Sequence, residues 1–538
     1  MHSTIDEGSH TAALLSSIGR LLRRGLGDRC RAVTVLHPSS SSRPTSQAHP
    51  SSPDFIFIGI IYNAQNAFRL VDHGPAVDQN KSLLDEFKEI WGHKSELRRF
   101  KDGRIVESVV WEVNTADERA HVPSKIVHHL LDRHFSLNEN TIETWQSSFD
   151  STLRLPSVIS REYLSSGSPT GFKGALSAFD NLVKIIKSLD NHLPLSVLLV
   201  SPISESLRYT SVISPVPLPT TLAAVLPPNA QYLHTIDIVL EFEKSSRWPD
   251  DLKAIQTIKL AFFECLATAL MEAIDGLIAK VVIGDGIRDS PVVDQSILEI
   301  ITPDGWAFNA HIWHDREIQL LDRVIDGTTN TLPHVVPQNK EHKKTREYHD
   351  ALEAKEVFVT RFIHAPRHHR AIAALCHHYS AFSGTVRLVK RWLASHWLLQ
   401  GHISEEAVEL ICASFFIKKR VPLTFDTDDQ TAQHLVPCSK ERGFATVVKF
   451  LKDWKWEDGL FVPLYGDISS AIPNDSIGTG SGSVWRVCSE FDPGGKIWTY
   501  CGPDLVSANR VKSLANATWS LLQQVELGRL DIRVGLTF

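Results

Sequence analysis

Between about residue 140 and residue 312, apolar β-prone runs alternate with stretches of helical periodicity, and after about residue 330 amphipathic helices take over. A chain of 538 residues is also too long for one hydrophobic core. The change of texture predicts three regions, 1–138, 139–330 and 331–538, α+β throughout, with no internal repeat. In the first, Leu14 to Leu26 has helical spacing, and Arg31 to Leu36 and Phe55 to Tyr62 read as one strand pair. The pair is interrupted by a Ser/Pro/His-rich surface insertion, 38–53, and a small αβ stretch ends in a helix from Lys125 to His134. In the second, a helix over Phe172 to Leu189 aligns Leu176, Phe179, Leu182, Val183 and Ile186. Strands are expected at Leu195 to Val200, Thr235 to Glu243, Ser296 to Ile301 and Trp306 to His311, with an apolar helix from Asp250 to about Lys280. This is a mixed-sheet domain. The third opens on the charged residues 339–347 and is mainly helical. Its helix Thr385 to Leu399 stripes Val386, Val389, Leu393 and His396/Trp397, and Ser404 caps a second helix running to Phe416, with Glu405 and Glu406 in its first turn.

Composition narrows the function classes. No window approaches the ~20 unbroken apolar residues of a membrane-spanning helix, and the polar start Met1 to His10 lacks a signal-peptide pattern. An intracellular protein with no membrane partner is expected. Seven cysteines, scattered singly and without a Cys-x-x-Cys, argue against a disulfide framework and a cysteine zinc site. The net charge of −6 means that any nucleic-acid contact is local or shared with partner proteins.

Two long segments carry a specific likeness. The first is Trp91-Gly92-His93-Lys94-Ser95-Glu96-Leu97-Arg98-Arg99-Phe100-Lys101-Asp102-Gly103-Arg104-Ile105, running on through Glu107 and Trp111. The second is Arg387 to His396, followed by Ile403 to Leu410. Shorter matches are Leu207 to Ser211, Arg247 to Leu252 and Gly443 to Val448. In this order they resemble the third to fifth domains of the Nrap (nucleolar RNA-associated protein) family. The resemblance implies an αβ domain, a nucleotidyltransferase-like domain, and a helical domain like that of poly(A) polymerases and oligoadenylate synthetases. It further implies a nuclear, nucleolar, non-catalytic role in the small-subunit processome and its UTP-C subcomplex. The implied partners are pre-rRNA or small nucleolar RNA and the other processome proteins.

Nucleotidyl transfer needs carboxylates that hold two divalent metals: a pair two residues apart on one strand, plus a third acid on a neighbouring strand. A Gly-Ser turn cradles the phosphates through backbone N–H groups. The strand Thr235 to Glu243 places Asp237, Val239, Glu241 and Glu243 on one face, so Val239 stands where the second acid belongs. The expected phosphate turn reads Ser201-Pro202-Ile203-Ser204, in which proline removes a donor. The later strand Trp306 to Ile312 has no carboxylate. Asp237, Glu241 and Glu243 are therefore expected to be remnants of a degenerate site, with no catalytic residue, metal or cofactor. The competing expectation is an active template-independent RNA nucleotidyltransferase using Glu241, Glu243 and Mg²⁺.

Other motifs are weaker. His368-His369 and His377-His378 have poor spacing for one metal and read as packing or surface histidines. Gly284-Asp285-Gly286 reads as a turn, and Gly478 to Ser483, with no lysine following, reads as a loop rather than a phosphate loop. For RNA, basic residues beside aromatics are the candidates: Arg98, Arg99, Lys101 and Arg104 around Phe100, and Lys390 and Arg391 before Trp392. Core packing of both rings is the competing reading, and it is favoured for the helix around Trp392. A third functional expectation is a protein-only scaffold that never touches RNA.

Overall fold

Helical spacing begins earlier than Leu14: α1 runs over Ser3–Leu26 and leads into β1 (Cys30–Leu36). The computed structural model describes residues 3–36, 56–63, 65–76, 81–100, 103–113, 116–138, 141–142, 144–245, 248–284, 296–326, 340–417, 436–466, 483–500 and 502–526. β1 pairs antiparallel with β2 (Phe57–Tyr62), forming the expected strand pair. The insertion 38–53 lies outside the described residues, as do Lys101, Asp285, Gly286 and residues 478–482. Then follow β3 (Val71–Ala76), α2 (Lys81–Trp91), β4 (Glu96–Arg99), β5 (Ile105–Val110), α3 (Ala116–Ala120) and α4 (Val122–Phe135). The three strands form an antiparallel sheet in the order β3-β5-β4. Ile18, Leu22 and Leu26, one turn apart on α1, pack on Ile126 and Leu130 of α4 and on Trp91 and Trp111, closing the first core.

The second region contains α5 (Trp145–Thr152), α6 (Ser157–Ser166), α7 (Gly171–Ser188), β6 (Val197–Pro202), α8 (Thr220–Ala223), β7 (Thr235–Phe242), α9 (Leu252–Ala273), β8 (Ile278–Ile283), β9 (Ser296–Ile301), β10 (Ala307–Trp313) and α10 (Asp315–Ile325). Its five-stranded sheet has the order β6-β7-β10-β9-β8, with β7 and β10 parallel and the other neighbours antiparallel. Phe179, Leu182 and Ile186 of α7 and Phe262, Phe263, Leu266 and Leu270 of α9 bury one face of that sheet.

The boundaries of β6 and of the long apolar helix differ from the sequence reading. β6 starts two residues later than Leu195 and includes Pro202. The helix expected to reach Lys280 stops at Ala273, and Ile278–Ile283 forms the edge strand β8. A continuous apolar run does not distinguish helix from buried strand; Gly276, at φ +80°, makes the break. α9 also has the length and apolarity of a membrane span. Its apolar face is instead spent on the sheet, and its Lys259 is fully buried in an ion pair with Glu317 at 2.7 Å.

The third region comprises α11 (Lys340–Val359), a wide π-turn (Thr360–His364), α12 (Ala365–His378), α13 (Ser380–Ser395), α14 (Glu405–Ala413), α15 (Lys440–Asp453), the two-residue strands β11 (Leu460–Phe461) and β12 (Val487–Cys488), and α16 (Leu505–Glu526). α13 is the buried axis, with Phe382, Val386, Val389, Trp392 and Leu393 all in the core. α13 and α15 approach closely because Gly443 has no side chain: a Cβ there would overlap Thr385. The expected stripe overran the helix. Trp397 lies beyond its end, in a left-handed conformation and 87% exposed. His368, His369, His377 and His378 all lie within α12.

Ser404 caps α14 as expected: its Oγ accepts from the Ala407 N–H at 3.1 Å and donates to the Trp498 carbonyl at 2.6 Å. Ser404→Ala is expected to cost about 1 kcal/mol, the usual value of a lost N-cap, measured as a lower urea midpoint with unchanged slope.

Candidate functional site

Alternation along β7 sends Ile236, Ile238, Leu240 and Phe242 into the core and leaves Asp237, Val239 and Glu241 on the opposite face. The parallel register sets Asn309 of β10 beside Asp237, His311 beside Val239 and Trp313 beside Glu241. The face on which metal-binding acids would converge thus carries a valine in the second position and an amide, an imidazole and an indole on the neighbouring strand. His311 Nε2 lies 3.5 Å from Asp237 Oδ1. Val239 is 4% exposed and packs against Phe358 of α11 and Phe362 of the π-turn. These rings, 4.5 Å apart, also lie under the Lys259 ammonium at 5.4 and 5.7 Å. Glu241 is half-buried at the end of β7, and Glu243 lies past it, its N–H bonded to the Ser196 carbonyl at 2.9 Å. Among the described residues no group of three or more His, Cys, Asp and Glu side chains is arranged to hold a metal ion.

The turn after β6 is equally committed. Pro202 has no donor, the Ile203 N–H bonds the Asp237 carbonyl at 3.2 Å, and the Leu207 N–H bonds the Ser204 carbonyl at 3.2 Å. Ser204 Oγ accepts the Ser206 N–H at 3.2 Å. A phosphate arriving here would find these amides already used.

Where the second region meets the third, the cleft is occupied by a buried ion network. Arg208 Nε bonds both Glu409 oxygens, at 2.9 and 3.1 Å, and another guanidinium nitrogen donates to the Ile203 carbonyl at 2.6 Å. Lys390 Nζ donates to Glu409 and Glu405, each at 2.7 Å. Thr210 Oγ1 donates to Glu409 at 2.6 Å, and His368 Nε2 lies 2.6 Å from it, with its Nδ1 2.9 Å from the Tyr465 hydroxyl. Burial alone would raise the Glu409 carboxyl, but Arg208, Lys390 and His368 outweigh it and hold it well below the usual range. Around this centre, Ser383 Oγ donates to the Tyr209 carbonyl at 2.6 Å and Arg387 Nε to the Ser211 carbonyl at 3.0 Å. The segment Leu207 to Ser211 is thus tied to α12, α13 and α14. Neither Arg208 nor Glu409 stands out as a site in the sequence. The available signal is one carboxylate, Glu409, inside the otherwise uncharged run Ala407 to Phe416.

This network corrects one expected RNA contact. Lys390 is fully buried and paired with two glutamates, so it is not presented to RNA. Arg391 is half-buried, and Trp392 is core at 1% exposure. In the first region Arg98, Arg99 and Arg104 are exposed on the β4–β5 hairpin, with Arg98 paired to Glu96 at 2.6 Å. Phe100 is half-buried, edge-on to His73 at 4.7 Å.

Comparison with known families gives three matches in chain order: Nrap protein domain 3 over residues 1–136, Nrap protein nucleotidyltransferase domain 4 over 148–377, and Nrap protein PAP/OAS1-like domain 5 over 379–534. The chain belongs to the Nrap family. The domain 4 match carries on through α11 and α12, so the helices that bring Phe358, Phe362 and His368 to the cleft fall within the nucleotidyltransferase domain of the Nrap scheme. Among curated Nrap relatives, U3 small nucleolar RNA-associated protein 22 of Schizosaccharomyces pombe is 29% identical over 93% of this chain and 42% of its own length. The protein of the same name from Saccharomyces cerevisiae is 31% identical over 86% of this chain and 34% of its length. Nucleolar protein 6 of Mus musculus is 25% identical over 96% of this chain and 42% of its length. The chain spans less than half the length of these relatives.

Proposed function

We propose that this chain is a non-catalytic, RNA-associated assembly factor of the nucleolus, acting in small-subunit ribosome biogenesis and pre-rRNA processing within the small-subunit processome and its UTP-C subcomplex. The names of its relatives support the nucleolar setting and an association with small nucleolar RNA. The observation that carries the non-catalytic reading is Val239, which stands in the second metal-acid position and is sealed under Phe358 and Phe362. With Pro202 lacking a donor, the Ile203 amide bonded to the Asp237 carbonyl and the cleft filled by the Arg208–Glu409–Lys390 network, the nucleotidyltransferase domain serves as a platform. Its partners are pre-rRNA or small nucleolar RNA and neighbouring processome proteins. On the first domain, the exposed Arg98, Arg99 and Arg104 are RNA-contact candidates.

Primer extension with Mg²⁺ or Mn²⁺ and all four nucleoside triphosphates tests the non-catalytic reading. The chain is expected to add nothing above background, and Glu241→Ala and Glu243→Ala to change nothing. Metal-dependent extension that disappears in Glu241→Ala would restore the active nucleotidyltransferase.

A further inference from the structure

We propose that the basic patch where α4 crosses the C-terminal end of α2, formed by Lys94, Lys125 and Arg133 around the His93 and His129 rings, is a phosphate-binding site for single-stranded RNA. This rests on the RNA-associated reading above and gives it a location.

The patch is built by helix termination. α2 ends at Trp91, and Gly92 turns the chain at φ +56°. The last carbonyls of α2 are met by α4: Arg133 donates to Glu89 O through two nitrogens at 3.3 Å, His134 Nε2 lies 3.1 Å from Ile90 O, and His129 Nε2 lies 3.2 Å from Trp91 O. Any side chain at position 92 would overlap the Arg133 guanidinium. Capping accounts for the histidines and for part of Arg133, since cations favour a helix C-terminus.

Capping does not account for the lysines. Lys94 Nζ sits 4.3 Å above the Trp111 ring, and Lys125 Nζ reaches only the Glu112 carbonyl at 3.2 Å. Several other basic side chains of this domain are matched with acids: Arg24 with Glu86, Lys88 with Glu107, Arg98 with Glu96, and Arg69 with Asp28. Among the described residues, Lys94, Lys125 and Arg133 have no carboxylate within ion-pair distance. The charges are also crowded. Burial and then Lys125 lower the Lys94 ammonium against the opposing pull of Glu112, while burial, Lys94, His93 and Arg133 act together to lower His129, despite its hydrogen bond to Trp91 O. Positive charge crowded in this way, with no carboxylate bonded to it, is relieved by an anion.

The aromatic floor favours RNA over an acidic peptide. His129 stacks on Trp91 at 6.1 Å with planes 11° apart, and the exposed His93 ring meets it edge-on at 5.7 Å. An outward imidazole over a Trp–His stack offers a face to an unpaired base while the lysines hold flanking phosphates.

The test is binding of the full chain to a labelled uridine oligonucleotide across a salt series, for wild type, Lys94→Gln/Lys125→Gln and Arg98→Gln/Arg99→Gln. Thermal unfolding checks that each variant folds. The lysine double variant is expected to bind more weakly, with the slope of log affinity on log salt shallower by about 1.4, since each single-strand phosphate contact contributes about 0.7. Wild-type affinity and slope in that variant, with loss confined to Arg98→Gln/Arg99→Gln, would overturn this site and leave the RNA-associated reading intact. Absence of salt-dependent RNA binding by the wild-type chain would overturn both. Displacement of bound RNA by polyglutamate at equal charge concentration, with equal sensitivity to the lysine changes, would overturn RNA as the occupant.

Discussion

Glu409→Gln is expected to destabilise the chain by about 3–5 kcal/mol, the usual cost of breaking a buried ion pair from one side. The substitution keeps the volume but leaves Arg208, 2% exposed, and Lys390, fully buried, without their shared counter-charge. Urea unfolding reads the loss. Glu406→Gln is the control: Glu406 touches Arg208 only at 3.4 Å with its side chain 28% exposed, so removal should cost less than about 1 kcal/mol. The pH dependence follows from the same network. Glu409 is held below its ordinary 4.5, and Glu205, where burial is outweighed by His234 and Arg208, is held at about 2. The unfolded chain then binds more protons than the folded chain below that ordinary value, so these carboxylates stabilise fully above it and lose their contribution as pH falls. In Glu409→Gln the acid limb should be shallower. Burial also holds His314 and His364 at about 4 against an ordinary 6.5. Both favour the folded state above 6.5, and that contribution is lost as pH falls from there toward 4.

Val239→Asp is the second large effect. On sequence alone it restores the paired acid two residues after Asp237, and an open metal site would gain Mg²⁺ affinity. In this fold the new carboxylate would lie under Phe358 and Phe362 at a position only 4% exposed. A buried, unpaired charge of this kind costs about 3–5 kcal/mol at neutral pH. The loss should shrink as pH falls and the new carboxyl protonates, and Mg²⁺ should not raise the thermal midpoint. Recovery of stability with Mg²⁺ would mean that the rings move aside and the site is open.

What the sequence made legible follows period and spacing. The β7 alternation and its Asp237–Val239 spacing were readable because strand faces alternate with a fixed period of two. The Ser404 cap was readable because capping is local. β8 was hidden in an apolar run that continues from α9, where helix and buried strand have the same composition. Lys390 looked like a surface cation beside an aromatic, yet it lies fully buried on α13 and meets Glu405 and Glu409 on α14. The covering of Val239 by Phe358 and Phe362 joins residues more than one hundred positions apart, and nothing local in either segment announces it.

The most direct test of the RNA-associated, non-catalytic role is ultraviolet crosslinking of the tagged chain in nuclei, followed by sequencing of the attached RNA. That role predicts adducts enriched in small-subunit pre-rRNA or small nucleolar RNA, unchanged by Glu241→Ala. Recovery of the chain with processome proteins but without RNA adducts would contradict it and leave a protein-only scaffold.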